Sequence, residues 1–291
     1  MILYHYTSQH GIAGIVQSQS IWATHVMYLN DTSEFVHGLS FAEDISTRIY
    51  MEDDYLEAFG VAIRRALESV IADDLYVACF SEQPDLLSQW RGYCPAGAGL
   101  CLGFDLDCIK EFCATKGYRL EKCLYDHKDQ APQIESLVDR CFEMFPKPSI
   151  SRSQYDTLSS KGQVDCCIDY HSQTTAGRDK SQADEAVNWL CRQIADLTPL
   201  FKNDGFREEA EWRIVANRPI EQVKFRARAS FLAPYVELQL LSATSGNALR
   251  EVIIGPNPNQ ARAEAAVRKL LLAHGVGNST VRCSSLPFNH W

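Results

Sequence analysis

The sequence predicts an α+β fold: a single domain in which a mixed or antiparallel β-sheet core is flanked by helices. Helical periodicity is concentrated early in the chain and strand patterns are concentrated late, which favours α+β over a regularly alternating α/β fold. No internal repeat and no low-complexity linker interrupts the 291 residues. With 46% hydrophobic residues, a chain of this length can bury a substantial core.

The first elements are two extended segments joined by a short helix. "ILYHYTS" is rich in aromatic and β-branched residues and predicts the first strand. Ser8 can cap a helix in which Ile12 and Ile15 share an apolar face. "SIWATHVMYLND" predicts a second extended segment ending in a turn, after which Asp31 and Glu34 have the spacing of a helix capping box.

The middle of the chain mixes strands and helices. "DLYVACFSE" is a compact apolar run typical of a central strand, and "PDLLSQWRGY" predicts a short helix. "GLCLGFD" and "RLEKCLYD" are further strand candidates. Residues 130–145 and 182–201 are predicted helices. The polar residues at about 146–180 predict an irregular surface excursion rather than a domain boundary.

The last third is rich in predicted strands. A helix follows these strands and ends at Gly275, a residue type common just after helix C-termini. A final extended segment, "STVRCSS", closes the chain. The four strand candidates before the helix are "EAEWRIVAN", "QVKFRAR", "YVELQL" and "EVIIG".

Charge and cysteine usage limit the classes of function. The formal net charge is −9, which does not favour binding to nucleic acid or to an anionic membrane, although a local basic groove is compatible with it. The sequence shows neither a signal-peptide pattern nor a membrane-spanning run. Eleven cysteines without a C-x-x-C pair indicate reduced thiols in a cytoplasmic protein and no common zinc site.

Three polar clusters lie on otherwise apolar predicted strands. Each has an ordinary structural explanation: a strand histidine is usually a satisfied structural residue, a serine at a strand end usually caps a turn, and a charged row is usually solvated. The alternative is that the three clusters line one catalytic cleft. The clusters are His5-Tyr6-Thr7, Ser81-Glu82 with Trp90 and Arg91 following, and Glu209, Glu211 and Arg213.

Together these blocks resemble a bacterial family known as domain of unknown function 2971. The resemblance extends over nearly the whole chain and is weakest at residues 130–200. The family name implies no activity. The blocks that carry it are "YHYT", "LND" followed by Glu34, "CFSE", and "EAEWR".

More distantly, the order of these blocks resembles the ADP-ribosyltransferase fold. That resemblance implies that His5 contacts the ribose and phosphates of NAD, that the Ser81 strand braces the cleft, and that Glu211 supports departure of nicotinamide. Glu209 would act on the acceptor. The middle block departs from the fold's common patterns, Ser-Thr-Ser or a lone Tyr, because this chain has Phe80-Ser81-Glu82. The residues expected to contact the nucleotide are His5, Tyr6, Thr7, Asn30, Ser81, Glu82, Trp90, Arg91 and Arg213.

The expected chemistry is cleavage of the bond between ribose and nicotinamide. This reaction builds an oxocarbenium-like centre, which a fixed carboxylate stabilises. If Glu209 and Glu211 lie on one strand face, roughly 6.5–7 Å separates them, which leaves room for an acceptor. About 2 kcal/mol of repulsion between the two charges, at an effective dielectric near 20, would be offset by Arg213.

The leading expectation is therefore an NAD-using, ADP-ribosyltransferase-like enzyme, acting as a bacterial toxin or antiphage defence effector on an unidentified acceptor macromolecule. A second expectation is hydrolysis of NAD or another nucleotide, or phosphate transfer, on the same cleft. A third is a non-enzymatic module that senses a ligand or binds a partner. A thiol-nucleophile enzyme using Cys79 or Cys94 ranks last, because Cys79 is expected to be buried and Cys94 has no assignable base.

Overall fold

The computed structural model describes residues 1–29, 38–45, 53–68, 70, 74–94, 97–228, 230–244 and 248–287. The chain divides into two compact units. The sheet unit comprises Met1–Asn30, Asp74–Cys123 and Asp204–Trp291, and the helical unit comprises Asp31–Asp73 and Leu124–Asn203. The predicted class, α+β with a mostly antiparallel sheet flanked by helices, is confirmed. That the chain forms a single domain stays a prediction.

The sheet unit contains ten described strands. Their spatial order is β10-β9-β4-β1-β3-β2-β8-β7, while β6 pairs with β3 and β5 pairs with β6. All pairs are antiparallel except β9 with β10. The strands are β1 (Ile2–Ser8), β2 (Ile21–His25), β3 (Leu75–Ser81), β4 (Gly99–Asp105), β5 (Arg119–Lys122), β6 (Glu211–Asn217), β7 (Lys224–Ala227), β8 (Leu232–Leu238), β9 (Leu249–Ile254) and β10 (Thr280–Cys283).

Helices occur in both units. Several begin where the sequence supplies a cap: Ser8 Oγ accepts a hydrogen bond from the Gly11 amide, and Asp105 accepts two from the next helix. The described helices are α1 (Gln9–Ser18), α2 (38–45), α3 (Glu57–Leu67), α4 (Leu87–Tyr93), α5 (Leu106–Lys116), α6 (His127–Met144), α7 (Arg152–Tyr155), α8 (Ser160–Thr175), α9 (Lys180–Leu197), α10 (Leu240–Ala243) and α11 (Gln260–Ala273).

The two faces of the sheet bury different residues. We call the face that packs under α1, α5, α10 and α11 the first face; it carries Leu3, Phe80 and Ile214. The opposite, second face carries Tyr4 and Tyr6, which pack with Trp90 of α4. Because side chains alternate along a strand, residues paired directly across two strands share a face.

The helical unit has its own apolar core, built from α2, α3, α6, α8 and α9. Phe59, Ile134, Ile194 and Phe201 are almost fully buried in it. Across the described part of the chain, no helix is both long enough and apolar enough to span a membrane.

The prediction of an irregular surface excursion at about 146–180 is wrong, because helices α7 and α8 occupy most of this segment. Ser151 forms a capping box with Gln154 at the start of α7, and Ser159 caps α8. Only Tyr170 and Thr174 of α8 are buried. The polar composition therefore reflects a helix with a narrow buried stripe rather than irregular backbone.

Candidate functional site

Strands β1 and β2 both pair with one edge of β3, at different positions along it. Tyr4 of β1 pairs with Ser81. Thr24 of β2 pairs with Val77, and β2 continues along β3 from there. Between the pairing of β1 at Ser81 and that of β2 at Val77 lie residues 78–80, which we call the β3 opening; there the carbonyl of Cys79 bonds to the side chain of His5. The other edge of β3 is paired with β6 along its whole length.

His5 bridges the β3 opening. Its Nδ1 lies 2.8 Å from the carbonyl oxygen of Cys79, and its ring centroid is 5.8 Å from that of Phe80. Burial lowers the pKa of His5; the hydrogen bond to Cys79 opposes that shift, and the charge of Arg226 adds to it. The imidazole is therefore neutral at pH 7. A carbonyl can only accept, so Nδ1 carries the proton and Nε2 is left as an acceptor.

Glu211 and Arg213 lie on the second face of β6. Glu211 pairs with Ser81, and Arg213 pairs with Cys79. Arg213 donates to both carboxylate oxygens of Glu211, from Nε at 2.7 Å and from Nη2 at 3.2 Å. Glu211 is 4% exposed and Arg213 is 1% exposed. The alternative of a solvated strand face is therefore wrong, and the two charges form a buried ion pair.

The alternation predicted for β6 is confirmed. Trp212 and Ile214 face the first-face core, opposite to Glu211 and Arg213. The indole of Trp212 donates a 2.8 Å hydrogen bond to Glu82. Burial raises the pKa of Glu82, but hydrogen bonds from Lys122 and Trp212 outweigh it and bring the pKa below its ordinary value. Glu82 is thus an ionised residue that ties β3 to its neighbours.

Glu209 does not extend the row of Glu211 and Arg213, so the predicted strand spacing of the two carboxylates is wrong. Glu209 ends a 3₁₀ helix, Asp204–Glu209, and the strand begins only at Glu211. Between them Ala210 has a φ of 43°, in the left-handed region. The pattern Glu209-Ala210-Glu211 predicts a strand, because an alanine in a sequence gives no indication that its φ is positive.

Ser81 holds this turn in place. Its buried hydroxyl donates to the carbonyl of Glu209 at 2.6 Å and accepts from the amide of Gln83 at 2.9 Å. The hydroxyl is thus engaged on both sides by backbone groups. That the strand carrying Ser81 braces a cleft stays a prediction.

Other predicted nucleotide contacts have structural partners. The hydroxyl of Tyr6 donates to the carbonyl of Gln83 at 2.8 Å, and its ring lies 4.8 Å from Trp90. Trp90 in turn donates to Asp85 at 2.7 Å. Thr7 packs so closely on Gly11 of α1 that a Cβ there would lie 1.9 Å from the threonine hydroxyl. These contacts fix β1 and α4 in the sheet unit.

The predicted residues are brought together only in part. Glu211, Arg213 and Ser81 share the second face, whereas His5, next to Tyr4, lies on the other face of β1 and reaches the β3 opening at its edge. Arg91 is exposed on α4. Asn30 lies outside the described residues.

Residues 89–214 match the family described as Protein of unknown function (DUF2971). This match supports the DUF2971 resemblance. No curated protein and no solved structure matches the chain. The DUF2971 match contains Trp90, Arg91, Glu209, Glu211 and Arg213 but begins after His5 and Ser81.

Outside the DUF2971 match lies a group that the sequence analysis missed, which we call the β7 cation cluster: Trp22, Thr24, Arg226 and Tyr235. Nη2 of Arg226 donates to Thr24 Oγ1 at 2.6 Å. Its guanidinium carbon is 5.7 Å from both ring centroids, and the two rings are 5.0 Å apart. The run of Lys224, Arg226 and Arg228 was the available signal, but it did not indicate which cation turns inward.

Proposed function

We propose that the sheet unit is an NAD-using, ADP-ribosyltransferase-like enzyme in which Glu211 is the catalytic carboxylate and His5 contacts the nucleotide. The observation that carries the proposal is the β3 opening. There His5 bonds to Cys79 on one edge of β3, while β6 carries Glu211 and Arg213 along the other edge. Titratable side chains thus lie on both sides of β3 at this point, and we propose that the substrate binds beside it.

The chemistry suits the arrangement of Glu211. Loss of nicotinamide leaves positive charge on the ribose, which an ionised carboxylate stabilises. The two-point bond from Arg213 fixes the plane of the carboxylate and favours its charged form. Because both groups are buried, their electrostatic effect on a bound substrate is stronger than it would be in water.

The neutral ring of His5 complements this role. With Nδ1 bonded to Cys79, its Nε2 can accept a hydrogen bond from a ribose hydroxyl. We assign the carboxylate chemistry to Glu211 alone, because Glu209 lies in the preceding 3₁₀ helix and not in the strand.

The test is incubation of the protein with labelled NAD and cell lysate, following both free nicotinamide and label transferred to macromolecules. We expect nicotinamide release by the wild-type protein and a loss of roughly 10²–10³-fold in Glu211→Gln, as for removal of one transition-state contact. Transfer of label would favour the toxin or defence-effector role, and release alone would favour NAD hydrolysis.

The matched control is Glu251→Gln. Glu251 also lies in the sheet and accepts hydrogen bonds from a tyrosine and an arginine, Tyr4 at 2.8 Å and Arg282 at 2.9 Å. We expect this variant to keep its turnover per folded molecule. No release by the wild-type protein, or equal release by Glu211→Gln, would refute the catalytic assignment.

His5→Ala separates binding from chemistry. We expect it to weaken NAD binding more than it slows the bound-state reaction, because Nε2 is proposed to contact the nucleotide and not the breaking bond. Calorimetric titration with NAD measures this. An unchanged dissociation constant would mean that His5 only holds β1 to β3.

One observation favours a second candidate, a non-enzymatic ligand-binding module. Glu211 and Arg213 already satisfy one another in a buried pair, as purely structural charges do. This candidate predicts that NAD or another ligand binds without nicotinamide release, and that Glu211→Gln changes stability but not ligand affinity.

A further inference from the structure

We propose that Trp22 and Arg226 of the β7 cation cluster form a subsite for a phosphate or diphosphate group. The inference deepens the proposed function, since a dinucleotide would supply that group, but its evidence is separate. It comes from two hydrogen-bond donors that have no acceptor, and a guanidinium that has no ion-pair partner, among the residues that the structure describes.

Two buried donors in the β7 cation cluster have no acceptor. Within the described residues, the Nε of Arg226 and the Nε1 of Trp22 are the buried side-chain nitrogen or oxygen atoms without a hydrogen-bond partner. Buried donors are nearly always paired in native proteins, so an orphaned pair requires an explanation. Both groups can only donate, and the missing partner must therefore be an acceptor.

The charge of Arg226 contacts aromatic rings but no anion within the described part of the chain. Among the described residues no carboxylate forms an ion pair with it, whereas its strand neighbour Lys224 pairs with Glu237 at 2.8 Å. Burial lowers the pKa of Arg226 to about 10, and the charge of Arg228 contributes to the shift. A bound anion would stabilise the charged form of Arg226 and so oppose this lowering of its pKa.

Together the donors and the charge define the ligand's chemistry. If one ligand serves both donors, it must offer more than one oxygen, because the donors come from different side chains, and the positive charge of Arg226 favours an anion. Phosphate and diphosphate meet both conditions, and arginine binds phosphate oxygens with well-defined geometry. The rings of Trp22 and Tyr235 flank the guanidinium and limit its orientation.

The subsite also lies at a useful place relative to Glu211. Thr24, the partner of Arg226, pairs with Val77 of β3, and Glu211 pairs with Ser81. Val77 and Ser81 are four residues apart on β3, and a rise of about 3.3 Å per residue separates them by roughly 13 Å. A ligand that extends along β3 could place its phosphates at the β7 cation cluster and its ribose near Glu211.

The experiment is calorimetric titration of the full chain with inorganic pyrophosphate, phosphate and ADP-ribose. We expect pyrophosphate to bind and its affinity to fall at least tenfold in Arg226→Gln and at least threefold in Trp22→Phe. Trp22→Phe keeps one aromatic ring while removing the orphaned N–H together with the five-membered ring that carries it, so it tests the proposal even if Arg226→Gln fails to fold. Tighter binding of ADP-ribose than of pyrophosphate would identify a nucleotide as the source of the group.

Lys224→Gln is the matched control. It removes one positive charge from the same strand but leaves both orphaned donors intact, and we expect it to retain pyrophosphate affinity within about twofold. An equal loss in Lys224→Gln, or undetectable binding by the wild-type protein, would overturn the proposal. A diffuse basic surface would account for the equal loss.

The same titration separates this inference from the proposed enzyme activity. Glu211→Gln should bind pyrophosphate like the wild-type protein, because Glu211 does not belong to the cluster. Pyrophosphate binding without nicotinamide release would refute the enzyme and leave the subsite standing. Nicotinamide release that is unaffected by Trp22→Phe and Arg226→Gln would refute the subsite and leave the enzyme standing.

Discussion

The ion pair between Glu211 and Arg213 determines how substitutions in this strand must be interpreted. Both side chains are almost fully buried, so removing one charge leaves the other in a medium of low polarity. A change in activity after such a substitution is informative only when the folded fraction has been measured. Activity should therefore be expressed per folded molecule.

Removing the charge of Arg213 from this ion pair should destabilise the folded protein. We expect Arg213→Gln to lower the free energy of unfolding by about 3–5 kcal/mol, because it removes the charged, two-point partner of a buried carboxylate. The double variant with Glu211→Gln should recover part of this loss, since neither charge then remains. Urea melts at a common slope measure both. Strictly additive losses would contradict a coupled pair.

His5 should make stability depend on pH. Its folded-state pKa lies below the ordinary value of 6.5, so below about pH 6.5 the unfolded chain binds more protons than the folded one. The contribution is therefore fully present above pH 6.5 and is lost on acidification, by at most about 1.4 kcal/mol per pH unit. Against wild type, His5→Asn, which retains a donor near Nδ1, should show a shallower decline in unfolding free energy between pH 6.5 and 5. Parallel profiles would show that His5 does not resist protonation.

Cys94 should be unreactive in the native protein. Burial raises its pKa to about 12, and its Sγ lies 3.3 Å from the carbonyl of Thr7. Little thiolate therefore exists at neutral pH, which weighs against the thiol-nucleophile alternative. Mass spectrometry after iodoacetamide treatment at pH 7.5 should find Cys94 unmodified, with the urea-unfolded chain as the control. Rapid native alkylation would reverse this conclusion.

At the scale of single residues, the sequence predicts chemistry better than position. The polar character of His5, Ser81 and Glu211 is visible in the sequence. The left-handed backbone of Ala210 and the inward direction of Arg226 are not, because both depend on how distant segments meet. The sequence therefore misplaced Glu209 and missed the β7 cation cluster.

At the scale of elements, two glycines provide a matched test of the packing of α1. A Cβ at Gly14 would lie 2.4 Å from the ring of Trp22, whereas a Cβ at Gly92 of α4 would meet nothing within 4 Å. Both substitutions gain the helix preference of alanine, about 0.5–1 kcal/mol. We expect Gly92→Ala to stabilise by about this amount and Gly14→Ala to destabilise by about 1–3 kcal/mol through overpacking.

Thermal melts of the two variants measure that difference. Gly14→Ala should also weaken pyrophosphate binding, because the displaced ring belongs to the β7 cation cluster. If both glycine variants gained stability alike, Trp22 would not be in contact with α1.

Most elements were predictable because their local patterns agree with their final environment. "ILYHYTS", "DLYVACFSE" and "EVIIG" became β1, β3 and β9, and "NQARAEAAVRKLLLAHG" became α11. The hydrophobic pattern did not predict the helix where few side chains are buried, as in α8. A helix with only a narrow buried stripe has too few apolar residues to reveal its period.

At the scale of the whole molecule, fold class followed from the order of helices and strands, but sheet topology did not. The pairing of β3 with β1, β2 and β6 joins segments far apart in the chain, and no local propensity encodes it. The β3 opening results from that pairing. It is consequently the feature of the candidate site that is least accessible to sequence reasoning.

The division into units was not predicted either. The boundaries of the two units fall at residues 30–31, 73–74, 123–124 and 203–204, and no Pro- or Gly-rich linker signals them. Each unit is assembled from separate segments. The DUF2971 match, at 89–214, includes segments of both.

The pairing of β1 has a consequence during synthesis on the ribosome. β1 pairs along its whole length with β4, which begins about 90 residues after β1 ends. At about 5–20 residues per second, β1 emerges roughly 5–20 s before that partner exists. Throughout this interval the backbone edge of β1 that pairs with β4 lacks its native partner, which leaves the nascent segment open to binding by chaperones and to aggregation.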